Sequence, residues 1–124
     1  MRHTHVLALL FLATVAGCTA GQDGADAARQ DIARDHLEVR AYGLPDFAAD
    51  REFAKRLKDR YGVEFKTVAG CIVATELVDN TNAYNRVMTE EIERRHGKGV
   101  LERLYEEARA AAHPTTQPTT RPAE

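Results

Sequence analysis

Only the middle of this 124-residue chain carries enough large apolar side chains to build a core. From His113 the sequence reads His-Pro-Thr-Thr-Gln-Pro-Thr-Thr-Arg-Pro-Ala-Glu, with nothing apolar larger than alanine. Pro114, Pro118 and Pro122 each remove a backbone donor and fix φ, so residues 113–124 are expected to form a disordered Pro/Thr-rich tail. Residues 18–33 are rich in Ala, Gly, Asp and Gln. They read as a flexible tether that turns helical only around Ala27-Ala28-Arg29. The foldable span is then residues 34–112. About 80 residues hold one modest core, marginal unless tightly packed or oligomeric.

Ahead of the tether, Arg2, His3 and His5 precede an apolar run over residues 6–13. The run is far below the ~20 residues that span a bilayer. A basic start, a short apolar core and small residues at the end follow the plan of a secretory signal. The segment closes with Val15-Ala16-Gly17-Cys18, which resembles the lipobox of bacterial lipoproteins, with Val15 where leucine is commonest. The resemblance implies a diacylglyceryl group on the Cys18 thiol, removal of residues 1–17 as a signal peptide, and fatty acylation (palmitate, for example) of the new amino group. Two or more acyl chains give durable attachment where one gives only marginal binding. Thr19 replaces the aspartate associated with inner-membrane retention. The implied location is the cell envelope, at the outer membrane and facing the periplasm. The formal charge of −2 becomes more negative once Arg2 is removed, which argues against a nucleic-acid partner.

Within the foldable span, residues 37–42 alternate apolar with polar and read as a strand. Gly43-Leu44-Pro45 stops it, and Asp46 or Asp50 can cap a helix. Phe47, Phe53, Ala54, Leu57 and Tyr61 supply that helix's apolar stripe, and Gly62 ends it. A second strand is expected within 63–73, with Gly70 marking a bulge or bend. Thr75 is a plausible cap for a helix whose buried face is Leu77, Thr81, Tyr84, Met88 and Ile92. Gly97 stops that helix, and a last one buries Val100, Leu101, Leu104, Tyr105 and Ala108. The expected class is α+β, a small β-α-β-α-α domain with a short sheet packed by three helices. A helix between two strands favours parallel pairing. Two strands alone make a poor sheet. The remedies are a third strand near Gly70, a hairpin broken at Ala69-Gly70, or a homodimer that joins two sheets.

Few residues offer chemistry. With Cys18 committed to lipid, Cys71 has no partner within the chain, and it is a reactive thiol, an intermolecular bridge or a small buried hydrophobe. Its neighbours Ile72 and Val73 favour burial. His96 beside Gly97 reads as a cation at a helix C-terminus, and Glu90, Glu91 and Glu93 read as a solvated helix face rather than an acid/base pair. Four poor helix formers in succession, Asp79-Asn80-Thr81-Asn82, suggest a helix that starts late or kinks. Asn82, Tyr84 and Asn85 could alternatively form a polar ligand-binding face. No catalytic residue, metal-ligand spacing or cofactor motif stands out.

These features point to a lipid-anchored cell-envelope protein that acts as a non-catalytic binding or structural module. Its partners would be the membrane, through the anchor, and an envelope protein or a second copy. The rival readings are a thiol-dependent enzyme or redox protein using Cys71, and a small polar-ligand binder using the Asn82/Tyr84/Asn85 face.

Overall fold

The computed structural model describes residues 21–114. The lipobox, Cys18 and most of the Pro/Thr tail lie outside the described residues. The elements run α1 (Gln22–Ala33), β1 (Glu38–Tyr42), α2 (Phe47–Tyr61), β2 (Glu64–Ala69), α3 (Thr75–His96) and α4 (Val100–Ala112). The class is α+β, as the sequence patterning indicates.

The punctuation of α2 acts where the sequence places it, whereas Thr75 does not cap α3: it is the first helical residue, Ala74 holds the N-cap position, and no side chain caps that end. Asp46 caps α2 by accepting a hydrogen bond from the Ala49 amide at 3.2 Å. Gly62 ends α2 with φ +67°, a left-handed conformation that glycine adopts without penalty. The chain then returns beside β1. The two strands pair in parallel, Glu38 opposite Glu64 and Val39 opposite Phe65, with an irregularity between Ala41 and Tyr42. β2 stops at Ala69, so the third strand near Gly70 is absent among the described residues.

One face of the sheet turns Val39 and Phe65 toward α2 and α4. Phe53 meets Phe65 and Tyr105 edge-on, each at 5.4 Å between ring centres. Leu57, Val63, Met88, Ile92 and Leu104 complete the core and are buried. At about 1.5–3 kcal/mol for each fully buried large aliphatic side chain, this cluster is the main source of stability. Two expected core residues do not belong to it. Phe47 opens α2 on its outer side and is 74% exposed, and Leu77 is 37% exposed in the first turn of α3.

Two readings need correction. Asp79, Asn80, Thr81 and Asn82 neither delay nor break α3, which is helical from Thr75. Tertiary partners account for this, because Thr81 is buried and Asn80 accepts the Gly21 amide at 2.8 Å. The tether reading likewise fails for Gln22–Ala33, which form a helix packed along α3. That packing uses small residues rather than large ones. Gly24 and Ala28 are the buried positions of α1. A Cβ on Gly24 would collide with the carbonyl oxygen of Asn80. The two backbones meet at this point, which only glycine permits.

Gly24→Ala is therefore expected to destabilise the fold by about 1–3 kcal/mol through overpacking. Asp26→Ala, on the exposed side of α1, should stay within about 0.5 kcal/mol of wild type. Urea unfolding of the two variants checks this. A Gly24→Ala midpoint equal to wild type would contradict the close approach.

Candidate functional site

Parallel strands send both of their following loops to one end of a sheet. Here the β1–α2 loop and the β2–α3 loop are joined at their root, where the Gly43 amide donates to the Ala69 carbonyl at 3.2 Å. This end carries the most exposed large apolar side chains of the described residues. Ile72 is 96% exposed, Leu44 82% and Phe47 74%. Scattered apolar residues are ordinary on a surface, whereas a group of them at one end marks an interaction surface.

A cleft of about 400 Å³ opens at this end on the α2/α4 side. Val39, Ala41, Phe53, Phe65 and Thr67 line it, with Tyr42, Leu44 and Pro45 at its mouth and Asp46, Asp50 and Tyr105 supplying polar atoms. The C-terminal ends of parallel strands are where ligand sites form in α/β units. The His113 ring lies 2.8 Å from the Asp46 carboxylate, and this contact, with the Ala49 amide, holds the Asp46 carboxyl below its ordinary range. Burial, and then the charge of Asp46, pushes the Asp50 carboxyl up. Burial, and then Asp50, does the same to the Tyr105 phenol. The wall is thus acidic, with the two carboxylates held in unlike environments.

Cys71 stands at this same end, exposed. Burial was expected from Ile72 and Val73, but the strand ends two residues before Cys71 and the chain turns outward. Among the described residues none makes a hydrogen bond to its thiol.

Asn82, Tyr84 and Asn85 do not gather into an open ligand-binding face. Tyr84 is fully buried, and its hydroxyl donates to Asp31 at 2.8 Å. Burial, and then that bond, pushes its phenol pKa up. The Arg40 guanidinium lies over the Tyr84 ring, 3.4 Å from its centre. Asn85 accepts the Arg40 amide at 2.9 Å and donates to the Arg40 carbonyl at 2.6 Å. Asn82 accepts the Tyr42 hydroxyl at 2.9 Å. All three are tied to β1 or α1.

A second cluster lies at the other end of the strands, where His36, Glu38 and Glu64 converge. Sequence reasoning passed over it. Its signal was the His36-x-Glu38 spacing, which turns both side chains to one side of an extended segment.

The exposure of Cys71 has a direct consequence. A maleimide or aromatic disulfide reagent should modify it in native buffer within about tenfold of the rate for an unfolded control, since access and thiolate fraction set that rate. Labelling that requires denaturant would contradict the position described. Comparison of the chain with protein-family models, with curated proteins and with solved structures gives no match.

Proposed function

We propose that the chain is a lipid-anchored, non-catalytic interaction module of the bacterial cell envelope, held at the outer membrane and facing the periplasm. Its partner-binding surface is the end that carries Leu44, Phe47 and Ile72. The observation that carries this reading is the exposure of those side chains beside an acidic cleft.

The start of α1 and this surface belong to the same end. α1 and α3 run in the same direction, with Gly21 bonded to Asn80 and Asp35 to Arg95. α3 itself starts at the loop that holds Ile72. Cys18 precedes Gly21 by three residues, at most about 11 Å of chain. A lipid on Cys18 would keep the apolar end close to the bilayer.

Charge decides what that end meets. Asp23, Asp50 and Glu76 occupy the first turns of α1, α2 and α3, with Asp46 and Asp79 beside them. A charge close to an anionic lipid surface is worth about 1 kcal/mol, here unfavourable for each of these carboxylates except Asp46, which faces the His113 ring at 2.8 Å. Against an anionic leaflet that repulsion offsets much of the gain from partly burying three apolar side chains. Two copies meeting through this end would repel in the same way. A polypeptide segment with apolar and basic side chains satisfies both features at once, so the partner is an envelope protein that presents such a segment.

Cell fractionation and peptide binding test the two halves of this proposal. Cys18→Ser should lose processing or membrane association, and wild-type behaviour would contradict the anchor. The purified full-length protein in neutral detergent should bind an amphipathic Leu/Lys helix at least ~10-fold more tightly than a Leu/Glu helix, as like-charge juxtaposition costs several kcal/mol. Leu44→Ser with Ile72→Ser should weaken binding of the Leu/Lys helix. Equal binding of both peptides, or no effect of the double substitution, would contradict the surface.

A further inference from the structure

The parallel register assembles a group of side chains that the interaction surface does not use. His36 and Glu38 are two residues apart where the chain extends into β1, so their side chains share a face. Glu64 opens β2 and is the direct partner of Glu38 across the pair. Nitrogen and oxygen atoms from all three lie within 4.8 Å of one another.

Their environments differ in a useful way. Glu38 is 6% exposed, and its Oε1 accepts from the Arg40 Nε at 2.7 Å. Its Oε2 faces the His36 Nε2 at 3.7 Å, too long for a hydrogen bond. Glu64 is exposed and accepts from the Lys58 Nζ at 2.7 Å, which holds its carboxyl below the ordinary range. Two carboxylates directly opposite each other across a strand pair repel. Arg40 and Lys58 each answer one of them, while the second oxygen of Glu38 and the His36 ring nitrogen face each other across a gap.

We propose that His36, Glu38 and Glu64 form a binding site for a divalent transition metal, and that Zn²⁺ is the ion the donors fit. One imidazole and two carboxylates, with a fourth position left to water, is a set that zinc accepts at bond lengths of about 2.0–2.2 Å. Those bonds put neighbouring tetrahedral ligand atoms about 3.3–3.6 Å apart. The gap between His36 and Glu38 is already close to that spacing. Glu64 closes the remainder by swinging off Lys58, which its exposure allows. Arg40 stays on the other oxygen of Glu38 and fixes the direction of the free one, as outer partners of metal-bound carboxylates do. The site lies at the N-terminal ends of the strands, away from the apolar end, so it stands or falls separately from the proposed interaction.

Titration of Zn²⁺ into the metal-free, purified full-length protein tests this, with calorimetry for stoichiometry and Co²⁺ absorption for coordination. Expected are one ion per chain and at least ~10-fold weaker binding for His36→Ala and for Glu64→Gln. Glu64 is exposed, so its variant should keep the fold, which circular dichroism checks. Lys58→Ala should strengthen binding several-fold by freeing Glu64. His113→Ala and His96→Ala should leave it unchanged. Zinc affinity unaltered by His36→Ala, affinity lost with His113 or His96, or no binding at millimolar zinc would overturn the proposal.

Discussion

The outer edge of β1 depends on the side-chain amide of Asn85, which stands in for a strand. Arg40 turns its amide and carbonyl away from β2, and Asn85 satisfies both, at 2.9 and 2.6 Å. A two-stranded sheet leaves edges that sheets elsewhere cover with a third strand or a second chain. Here α3 covers one of them by hydrogen bonding as well as by packing. Around that contact, Arg40 lies on the Tyr84 ring and bonds Glu38, while the Tyr84 hydroxyl bonds Asp31 of α1. A single turn of α3 therefore fixes β1 and α1 together. An unpaired buried polar group costs about 1–3 kcal/mol, so this set of bonds is demanding as well as stabilising.

This arrangement explains which parts of the fold were legible in the sequence. Elements with large apolar residues at regular spacing and glycine or aspartate at their ends could be read directly. α2 between Asp46 and Gly62, the face of α3 formed by Thr81, Tyr84, Met88 and Ile92, and the Val100/Leu104/Ala108 stripe of α4 are examples. α1 escaped because its packing signal is the absence of side chains. Gly24 and Ala28 permit close approach, and periodicity of large residues does not register that. Asn85 was misread for a related reason. An amide in a helix looks like a ligand donor or a breaker until the backbone it serves is located, and that backbone is forty-five residues away.

The candidate surfaces follow from the same topology. Parallel pairing puts Leu44, Phe47, Cys71 and Ile72 at one end and His36, Glu38 and Glu64 at the other. Neither group is contiguous in sequence. Leu44 and Phe47 read as the entry to a helix, and Cys71 and Ile72 as the tail of a strand. Exposure turns them into a surface, because β2 ends at Ala69 and α2 rotates Phe47 outward. The anchor reading belongs wholly to the sequence. The structure adds only that α1 starts beside Asn80, where the Gly21 amide is bonded, on the same side as those apolar residues.

The most direct test of the central claim is hydrogen exchange at the Arg40 amide. An amide on an open strand edge exchanges through local fluctuation, whereas one closed by a buried bond exchanges only on larger opening. The account predicts Arg40 protection within about tenfold of β1 amides bonded to β2, and its selective loss in Asn85→Ala while the Leu57 amide of α2 stays protected. Fast exchange at Arg40 in the wild-type protein, or protection that survives Asn85→Ala, would show that the edge is closed by something other than this side chain.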